Sequence, residues 1–596
     1  MFRIIITAVV VFFVAATVPL SAQGGRAAVA LSYEQSGDYR SAARLWQSLY
    51  DEDPKSEEYF GGVCRTLKAL DNMQSLKDIV EKRLLTIRSV ATLTVYGQLQ
   101  WNSGKEDDAD KAWSEALKKS AVTERSFLEM AKAQIEVRAV AKAIETLERG
   151  RTALRKPEVF ADDLAKLYAT NGNITRSLEQ VLLVFDRSSQ LQYAQGRISA
   201  LMTDDSAARI VQSLMKKEYD SRGSENIAFA RLYEWFLRES KKPDEACAIV
   251  EDIDKRLNAR GRELVNFAET MRADGNYETA MRAFSAVMAM GKSSDVAQYA
   301  SFGFAACSES QSGDNASPER SAEVVKLYRT IIRDYPRSSS AADAHLRIGS
   351  ILERSGAASE EVKKEYRTVV RSYEAFPQAA IAMLALAKVS MADDSVDAAM
   401  NLLGEALSMR GATQELMDEV QFQRGEILFF KGYMDSALSV YTTLAEQPES
   451  NFANDAIERM STIRQCADDS LMLWNFAQAG RLRNRRRIDE SLKLYDEIML
   501  QRRNPDIAEL ACIKAAELCM GERRYAPSRA YCEKLSTQWP ESIYLDRAMV
   551  LSARSFRAEG NKAESKAQYE ELLRSFPRSI FTQEARAALR QKDLQP

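Results

Sequence analysis

Histidine, proline and glycine are the scarce residues of this 596-residue chain. His345 is the only histidine, so the sequence offers no histidine pair for catalysis or zinc binding. The 13 prolines and 25 glycines are few for this length, whereas Ala, Leu, Glu, Lys, Arg and Ser are frequent. Such a mixture favours helices over sheets. The net charge of −3 gives no basic field to attract nucleic acid, so no nucleic-acid partner is expected.

Cysteine is also sparse, and its spacing shows neither a CxxC pair nor a dense disulfide framework. The seven cysteines are Cys64, Cys247, Cys307, Cys466, Cys512, Cys519 and Cys532. Most stand where a helix needs a small apolar residue. Only Cys512, Cys519 and Cys532 are close enough in sequence for one local disulfide, and the odd total leaves at least one thiol free in a monomer.

Long apolar runs are missing except at the N-terminus. There Arg3 precedes an apolar run from Ile4 to Val18, Pro19 ends the run, and small residues stand before Gln23. This pattern predicts a secretory signal peptide over residues 1–22 and an exported protein, with the periplasm as the expected compartment and an association with the outer membrane as a variant of it. The alternative is an uncleaved membrane anchor. No cysteine stands at the cleavage site to carry a lipid.

Motifs for catalysis are not evident. The segment AVMAMGKS, residues 286–293, matches a loose phosphate-loop pattern, but it has one glycine and follows a helical pattern instead of a strand. Gly291 is therefore interpreted as the end of a helix. We expect no catalytic residue, no cofactor and no metal site, and the protein is predicted not to be an enzyme.

A helical repeat is what the sequence does contain. Gly37-Asp38-Tyr39 is followed by Ala42, Trp46 and Leu49, which lie on one helix face, and by Pro54, which ends the helix. The small residue lets a neighbouring helix approach, and the aromatic residue fills the remaining space. Ala42 therefore marks a close contact between two helices.

This small position returns about every 34 residues in the first half of the chain and about every 37 in the second. It falls at Ala42, Leu76, Ala109, Ala143, Ser177, Val211, Ala246, Ala280, Val324, Val362, Ala399, Ala437, Ser491, Ser528 and Ser565. Two longer steps contain a polar loop at 308–318 and an extra segment around Cys466 to Trp474. The predicted core of the repeats includes Ala42, Trp46, Ala109, Trp113, Ala143, Ala280, Phe284, Tyr328, Ala437, Tyr441 and Tyr569.

A second phrase marks the later repeats. Tyr335-Pro-Arg-Ser338, Trp539-Pro-Glu-Ser542 and Phe576-Pro-Arg-Ser579 each place an aromatic residue, proline and serine at the end of a unit. Proline is expected to terminate one unit and serine to cap the next helix.

The repeat resembles the tetratricopeptide repeat, whose consensus has Gly and Tyr, then small, large and small residues, then Pro. The resemblance implies an all-α fold, a right-handed α-solenoid of stacked antiparallel helix pairs. It divides the chain into an N-terminal array at 23–307, a polar loop and candidate hinge at 308–318, and a C-terminal array with a capping helix at 319–596. The longer repeats resemble those of the periplasmic Tol–Pal coordinator and of the outer-membrane β-barrel assembly lipoprotein.

Arginines concentrate near the turns of two later units, at Arg481, Arg483, Arg485, Arg486, Arg487, Arg523 and Arg524. One interpretation is a solvated edge of the solenoid. The other is a patch for an anionic partner, which could be an acidic protein, a lipid headgroup or a cell-wall polymer.

The resemblance implies a non-enzymatic scaffold that binds peptides or helices of protein partners on its concave face. Cell-envelope assembly or cell-wall coordination is the expected context, with contact to the cell wall or a membrane surface as part of it. The alternatives are an accessory protein or enzyme acting on cell-wall polymer, and a structural component of a surface or motility assembly.

Overall fold

A computed structural model describes residues 22–223, 225–292, 294–313, 317–409, 411–501 and 504–590, with side chains from Gly25 onward. Within these ranges the chain forms helices joined by turns, with no strand, so the predicted all-α repeat fold is confirmed. The predicted signal peptide lies outside the described residues apart from Ala22, and it stays a prediction.

The chain divides into two compact units, Met1–Ile253 and Asp254–Pro596. The helices of the first unit are α1 (Ala22–Gln35), α2 (Tyr39–Glu52), α3 (Glu57–Ala69), α4 (Met73–Leu84), α5 (Val90–Asn102), α6 (Glu106–Lys119), α7 (Glu124–Glu136), α8 (Val140–Leu154), α9 (Ala161–Thr170), α10 (Ile174–Ser188), α11 (Leu191–Leu201), α12 (Asp205–Glu218), α13 (Ile227–Glu239) and most of α14 (Pro243–Leu257), with a π-helical turn at Tyr219–Gly223.

The second unit continues the same construction. Its helices are α15 (Arg262–Ala273), α16 (Tyr277–Ala289), α17 (Ala297–Ser312), α18 (Pro318–Asp334), α19 (Ser339–Arg354), α20 (Ser359–Ser372), α21 (Gln378–Ala392), α22 (Val396–Ser408), α23 (Gln414–Phe430), α24 (Met434–Ala445), α25 (Ala453–Gln465), α26 (Ser470–Asn484), α27 (Ile488–Leu500), α28 (Pro505–Gly521), α29 (Tyr525–Gln538), α30 (Leu545–Ala558), α31 (Lys562–Ser575) and α32 (Thr582–Arg590).

Each pair consists of a first helix and a second helix, and the small position lies on the second. The second helices α2, α4, α6 and α8 begin at Tyr39, Met73, Glu106 and Val140, which are 34, 33 and 34 residues apart. None of the fifteen small positions is more than 2 % exposed. The predicted core residues are likewise buried, including Trp46, Trp113 and Tyr441.

Three serines show how close the helices come at the small position. The Oγ of Ser177 donates to the carbonyl of Ala165 at 2.7 Å, Ser491 to Ala479 at 2.7 Å, and Ser528 to Ala516 at 2.8 Å. Each acceptor lies on the first helix of the same pair. A serine at this position therefore both permits and fixes the approach of the two backbones.

The predicted polar loop at 308–318 is too long. Helix α17 continues through Ser312, because Glu309 is buried and accepts hydrogen bonds from Tyr328 and Arg347. As predicted, Ser317 caps α18, with its Oγ accepting from the backbone N–H of Arg320. The candidate hinge in this segment stays a prediction, which the division within α14 does not test.

The predicted extra segment near Cys466 is an additional helix. Helices α25 and α26 stand where one first helix would suffice, and only Cys466–Asp469 separates them. Helix α25 packs on α24 and contacts α28, whereas α26 packs against α23. Counting the spacing of small positions does not distinguish a long loop from an unpaired helix.

The serine caps of the later units are only partly as predicted. Ser338 caps α19 through the N–H of Ala341. Ser542 instead accepts from the N–H of Tyr544, in the turn before α30, and Ser579 accepts from Phe581. In these two units the turn takes two more residues before the helix begins.

Candidate functional site: two grooves lined by first helices

Two grooves lie on the faces formed by consecutive first helices. In the first unit, α3, α5 and α7 line a groove of about 630 Å³, called here the N-groove. In the second unit, α19, α21 and α23 line a groove of about 480 Å³, called here the C-groove. The N-groove is defined by Glu57, Lys68, Thr94, Gln98, Glu129 and Glu136. The C-groove is defined by Glu353, Ile381, Ala385, Lys388, Glu415 and Glu419.

A polar network crosses the floor of the N-groove. Lys68 Nζ donates to Gln98 Oε1 at 2.6 Å and to Glu136 Oε2 at 3.0 Å. The amide of Gln98 donates to the carbonyl of Ala133 at 2.6 Å and also to Glu136 at 3.0 Å. The network joins all three first helices of this groove.

The remaining charges of the N-groove are paired as well. Glu57 accepts from Arg83 at 2.8 Å, and Glu129 lies 2.7 Å from Arg125. Every charged side chain that lines this groove therefore has a partner of opposite sign. The lining thus has three carboxylates and one ammonium group, and all four are ion-paired.

The C-groove has an apolar floor. Helix α21 is buried on most of its surface, and solvent reaches its middle along one line, at Ile381, Ala385 and Lys388. These residues are spaced i, i+4 and i+7, so they share one helix face. Ile381 is 43 % exposed, and Leu384 lies buried beside it. The side chain of Ile381 is therefore not part of the hydrophobic core.

The rim of the C-groove carries an excess of negative charge. Lys388 Nζ pairs with Glu419 at 2.5 Å. Glu415 accepts a hydrogen bond from the side-chain amide of Asn451 at 2.9 Å. Among the described residues, neither Glu415 nor Glu353 forms an ion pair with lysine or arginine. The groove thus has three carboxylates and one ammonium group.

The predicted arginine patch lies at the expected turns, but most of its arginines form ion pairs with acidic residues of the same chain. Asp394 receives Arg481 at 2.6 Å and Arg485 at 3.2 Å. Arg524 pairs with Asp489 at 2.5 Å, and Arg487 pairs with Glu490. Arg483 donates to Asn484, and Arg486 and Arg523 are exposed at the turns. This arrangement favours the solvated edge, and the anionic partner stays a prediction.

Sets of Tyr, Glu and Arg, each built on a buried tyrosine, connect neighbouring helix pairs of the second unit. In each set a tyrosine of a second helix and an arginine of one flanking first helix donate to a glutamate of the other flanking first helix. The sets are Tyr328, Glu309 and Arg347; Tyr441, Glu426 and Arg459; and Tyr569, Glu584 and Arg554. The sequence indicated these tyrosines only as packing residues. A charged residue on an otherwise apolar helix face was the available signal.

In the set of Tyr441, Glu426 and Arg459, electrostatic contacts keep the glutamate ionised. Burial disfavours the ionised form of Glu426, but Arg459 at 2.6 Å and the hydroxyl of Tyr441 at 2.7 Å hold its pKa below the usual value. Burial and then Glu426 raise the pKa of Tyr441 well above 10. The set has no group poised for proton transfer near neutral pH, so its role is to hold three helices together.

The cysteines are buried and free along the whole array. Burial raises the pKa of Cys64 and of Cys466 to about 12. Since the thiolate is the reactive form, these thiols are poor nucleophiles.

Among the described residues, no group of three His, Cys, Asp or Glu side chains could hold a metal ion. No helix in that part of the chain has the length and apolar character needed to cross a membrane.

One family model agrees with the repeat architecture. The family model described as Tetratricopeptide repeat matches residues 547–579, which cover most of the pair α30 and α31. No curated protein matches the sequence significantly. A structure of Naa15/Naa10 bound to HypK-THB is similar at 12 % identity and a TM-score of 0.28, over 95 % of this chain and 96 % of that one. A crystal structure of the APC/C hetero-tetramer Cut9–Hcn1 is similar at 10 % identity and a TM-score of 0.23, over 96 % and 97 %. These values are too low to argue for a shared function.

Proposed function

We propose that this protein is a non-enzymatic scaffold that binds protein partners through its first-helix grooves. The observation that carries the proposal is that both units present a groove lined by three consecutive first helices. Side chains such as Thr94 and Ile381 face these grooves without being needed to close the core. Stacked helix pairs expose extended surfaces of this kind, and peptides or helices bind to them.

The proposal extends to the compartment. The apolar run from Ile4 to Val18 and the small residues before Gln23 support export, and the longer repeats of the second half support a role in cell-envelope assembly or cell-wall coordination. Fractionation of the native host and N-terminal sequencing of the purified protein test this part. A mature chain that begins at Gln23 in the periplasmic or outer-membrane fraction is the expected result; recovery of the full-length chain from the cytoplasm would contradict it.

Site-specific photo-cross-linking tests partner binding. A photoreactive residue replaces Thr94 in the N-groove or Ala385 in the C-groove of the full-length protein, expressed in its own host. The matched controls place it at Lys111 or Glu405, which are exposed on the second helices α6 and α22. We expect discrete cross-linked protein bands from at least one groove and none from the controls. Equal cross-linking from both kinds of position would contradict the proposal.

A further inference from the structure

The two grooves differ in the chemistry that they present. The N-groove is crossed by the Lys68–Gln98–Glu136 network, and each charged side chain of its lining is ion-paired. The C-groove exposes Ile381 on an apolar floor, and two of its rim carboxylates, Glu353 and Glu415, have no ion pair among the described residues. A ligand of the C-groove would therefore bury apolar surface and bring positive charge to the rim.

We propose that the C-groove binds a basic amphipathic helix of a protein partner, with apolar side chains on one face and lysine or arginine beside them. This inference rests on the proposed scaffold function and specifies its partner. The apolar side chains contact Ile381 and Ala385, and the basic groups approach Glu353 and Glu415. The exposed line on α21 spans two turns of helix, which matches the reach of two apolar residues on one face of a bound helix.

The charge of the groove rim predicts a positively charged ligand. Lys388 is held by Glu419 at 2.5 Å, so the one ammonium group on the lining is already neutralised. The carboxylates of Glu353 and Glu415 would lose solvation without gain against an acidic segment, and they gain an attractive partner against a basic one. Such an interaction weakens as salt concentration rises.

The probe is a fluorescein-labelled synthetic peptide of leucine and lysine with an amphipathic helical pattern. Two comparison peptides have the same length: one has glutamate in place of lysine, and one has serine in place of leucine. Binding to the full-length protein is followed by fluorescence anisotropy at low and at high salt. We expect the leucine–lysine peptide to bind, its affinity to fall with salt, and both comparison peptides to bind at least about tenfold more weakly.

Variants place the binding in the groove. The pair Glu353→Gln and Glu415→Gln is expected to weaken binding about five- to tenfold, and Ile381→Ser to weaken it by a similar factor. The matched control is the pair Glu405→Gln and Glu522→Gln, which removes two exposed carboxylates elsewhere in the second unit and should change the affinity less than twofold. Circular dichroism melting curves establish that each variant folds.

Arg410 precedes Gly411 of the groove lining and lies outside the described residues. The variant Arg410→Gln is therefore included, and its affinity for the basic peptide should not be lower than that of the unaltered protein. A lower affinity would overturn the proposed charge preference.

The outcomes separate this inference from the scaffold proposal. Equal binding of the glutamate peptide, or an effect of the control pair as large as that of the groove pair, would overturn the basic-segment inference and leave the scaffold standing. A partner cross-linked through Ala385 by a segment without basic residues would do the same. Absence of cross-links from both Thr94 and Ala385 would overturn the scaffold proposal itself.

Discussion

At the scale of single residues, glycines inside helices provide space for aromatic side chains. A Cβ added at Gly97 would lie 2.3 Å from Nε1 of Trp113, which is buried and donates to the carbonyl of Thr94 at 3.2 Å. Gly425 faces Tyr441 in the same way. Glycine inside a helix costs about 0.5–1 kcal/mol relative to alanine. Here the cost is offset by burial of a large ring.

We expect Gly97→Ala to destabilise the protein by about 1–3 kcal/mol, because the added methyl group overlaps the indole of Trp113. The matched control is Gly196→Ala in α11, where a Cβ meets nothing within 4 Å. That change should be neutral or stabilise by up to about 1 kcal/mol. Urea unfolding followed by circular dichroism measures both. Equal effects of the two substitutions would contradict this account of the packing.

From the sequence we predicted the second-helix residues of these contacts but not the small first-helix residues that they meet. Ala109 and Trp113 were identifiable because they follow the recurring small-and-aromatic pattern. Gly97 stands twelve residues before Ala109, as Ala165 does before Ser177 and Gly425 before Ala437. This second small position was present in the sequence. It shows as a contact only once the hydrogen bond from Ser177 to Ala165 is seen.

At the scale of helices, a buried ion pair joins neighbouring elements in the middle of the second unit. Tyr441, Glu426 and Arg459 belong to α24, α23 and α25, so one ion pair and one hydrogen bond join three helices. Glu426 and Arg459 are almost completely buried. Removing one partner of such a pair leaves a buried charge without compensation, which costs about 3–5 kcal/mol.

We expect Glu426→Gln to destabilise the second unit by about 3 kcal/mol at pH 7. The pKa of Glu426 is lower in the folded protein than in the unfolded chain, where it is about 4.3. Its contribution is therefore present above that pH and is lost as pH falls through the folded value. Urea midpoints of the unaltered and variant proteins should converge as the pH is lowered below about 4. A difference between the two urea midpoints that stays constant down to low pH would contradict this role of Glu426. The control is Glu405→Gln.

A glycine also sets the end of a helix. Gly291 follows α16 with φ +93°, in the left-handed region that is costly for other residues, and no atom lies within 4 Å of a Cβ added there. Gly291→Ala should destabilise the protein by about 1–2 kcal/mol through backbone strain. Isothermal titration with ATP should show no binding before or after the change. Measurable ATP affinity would instead revive the phosphate-loop interpretation.

At the scale of the whole molecule, buried thiols from Cys64 to Cys532 report on the integrity of the array. Burial raises the pKa of Cys247 and of Cys307 to about 11, as it does for the others to about 11 or 12. We expect no thiol to react rapidly with Ellman's reagent in the native protein at pH 8, because both access and the thiolate fraction are low.

After denaturation without a reductant, seven thiols should react, because Cys512, Cys519 and Cys532 are free and not paired. Five reactive thiols would indicate one disulfide, and rapid labelling of the native protein would contradict the burial of the thiols.

How much of the structure the sequence could predict also depends on scale. Spacing predicted the helix pairs, because neighbouring pairs must meet at a small residue such as Ala42 or Ser528. It could not predict the placement of α25, because Glu458 of this helix pairs with Lys514 and Arg547, which lie far along the chain. Nor could it predict the C-groove, because exposure of Ile381 follows from how three separate helices are placed.

The contacts around α25 have a mechanical consequence. Helices of the second unit contact their neighbours along the chain and, in many cases, the next first helix, but Arg481 reaches Asp394 over 87 residues and Arg547 reaches Glu458 over 89. If the polypeptide is pulled by its two ends, outlying hairpins can peel away singly. Both ion pairs have to break before the stretch between Asp394 and Arg547 can lengthen. This stretch should therefore unfold last and extend in one large step.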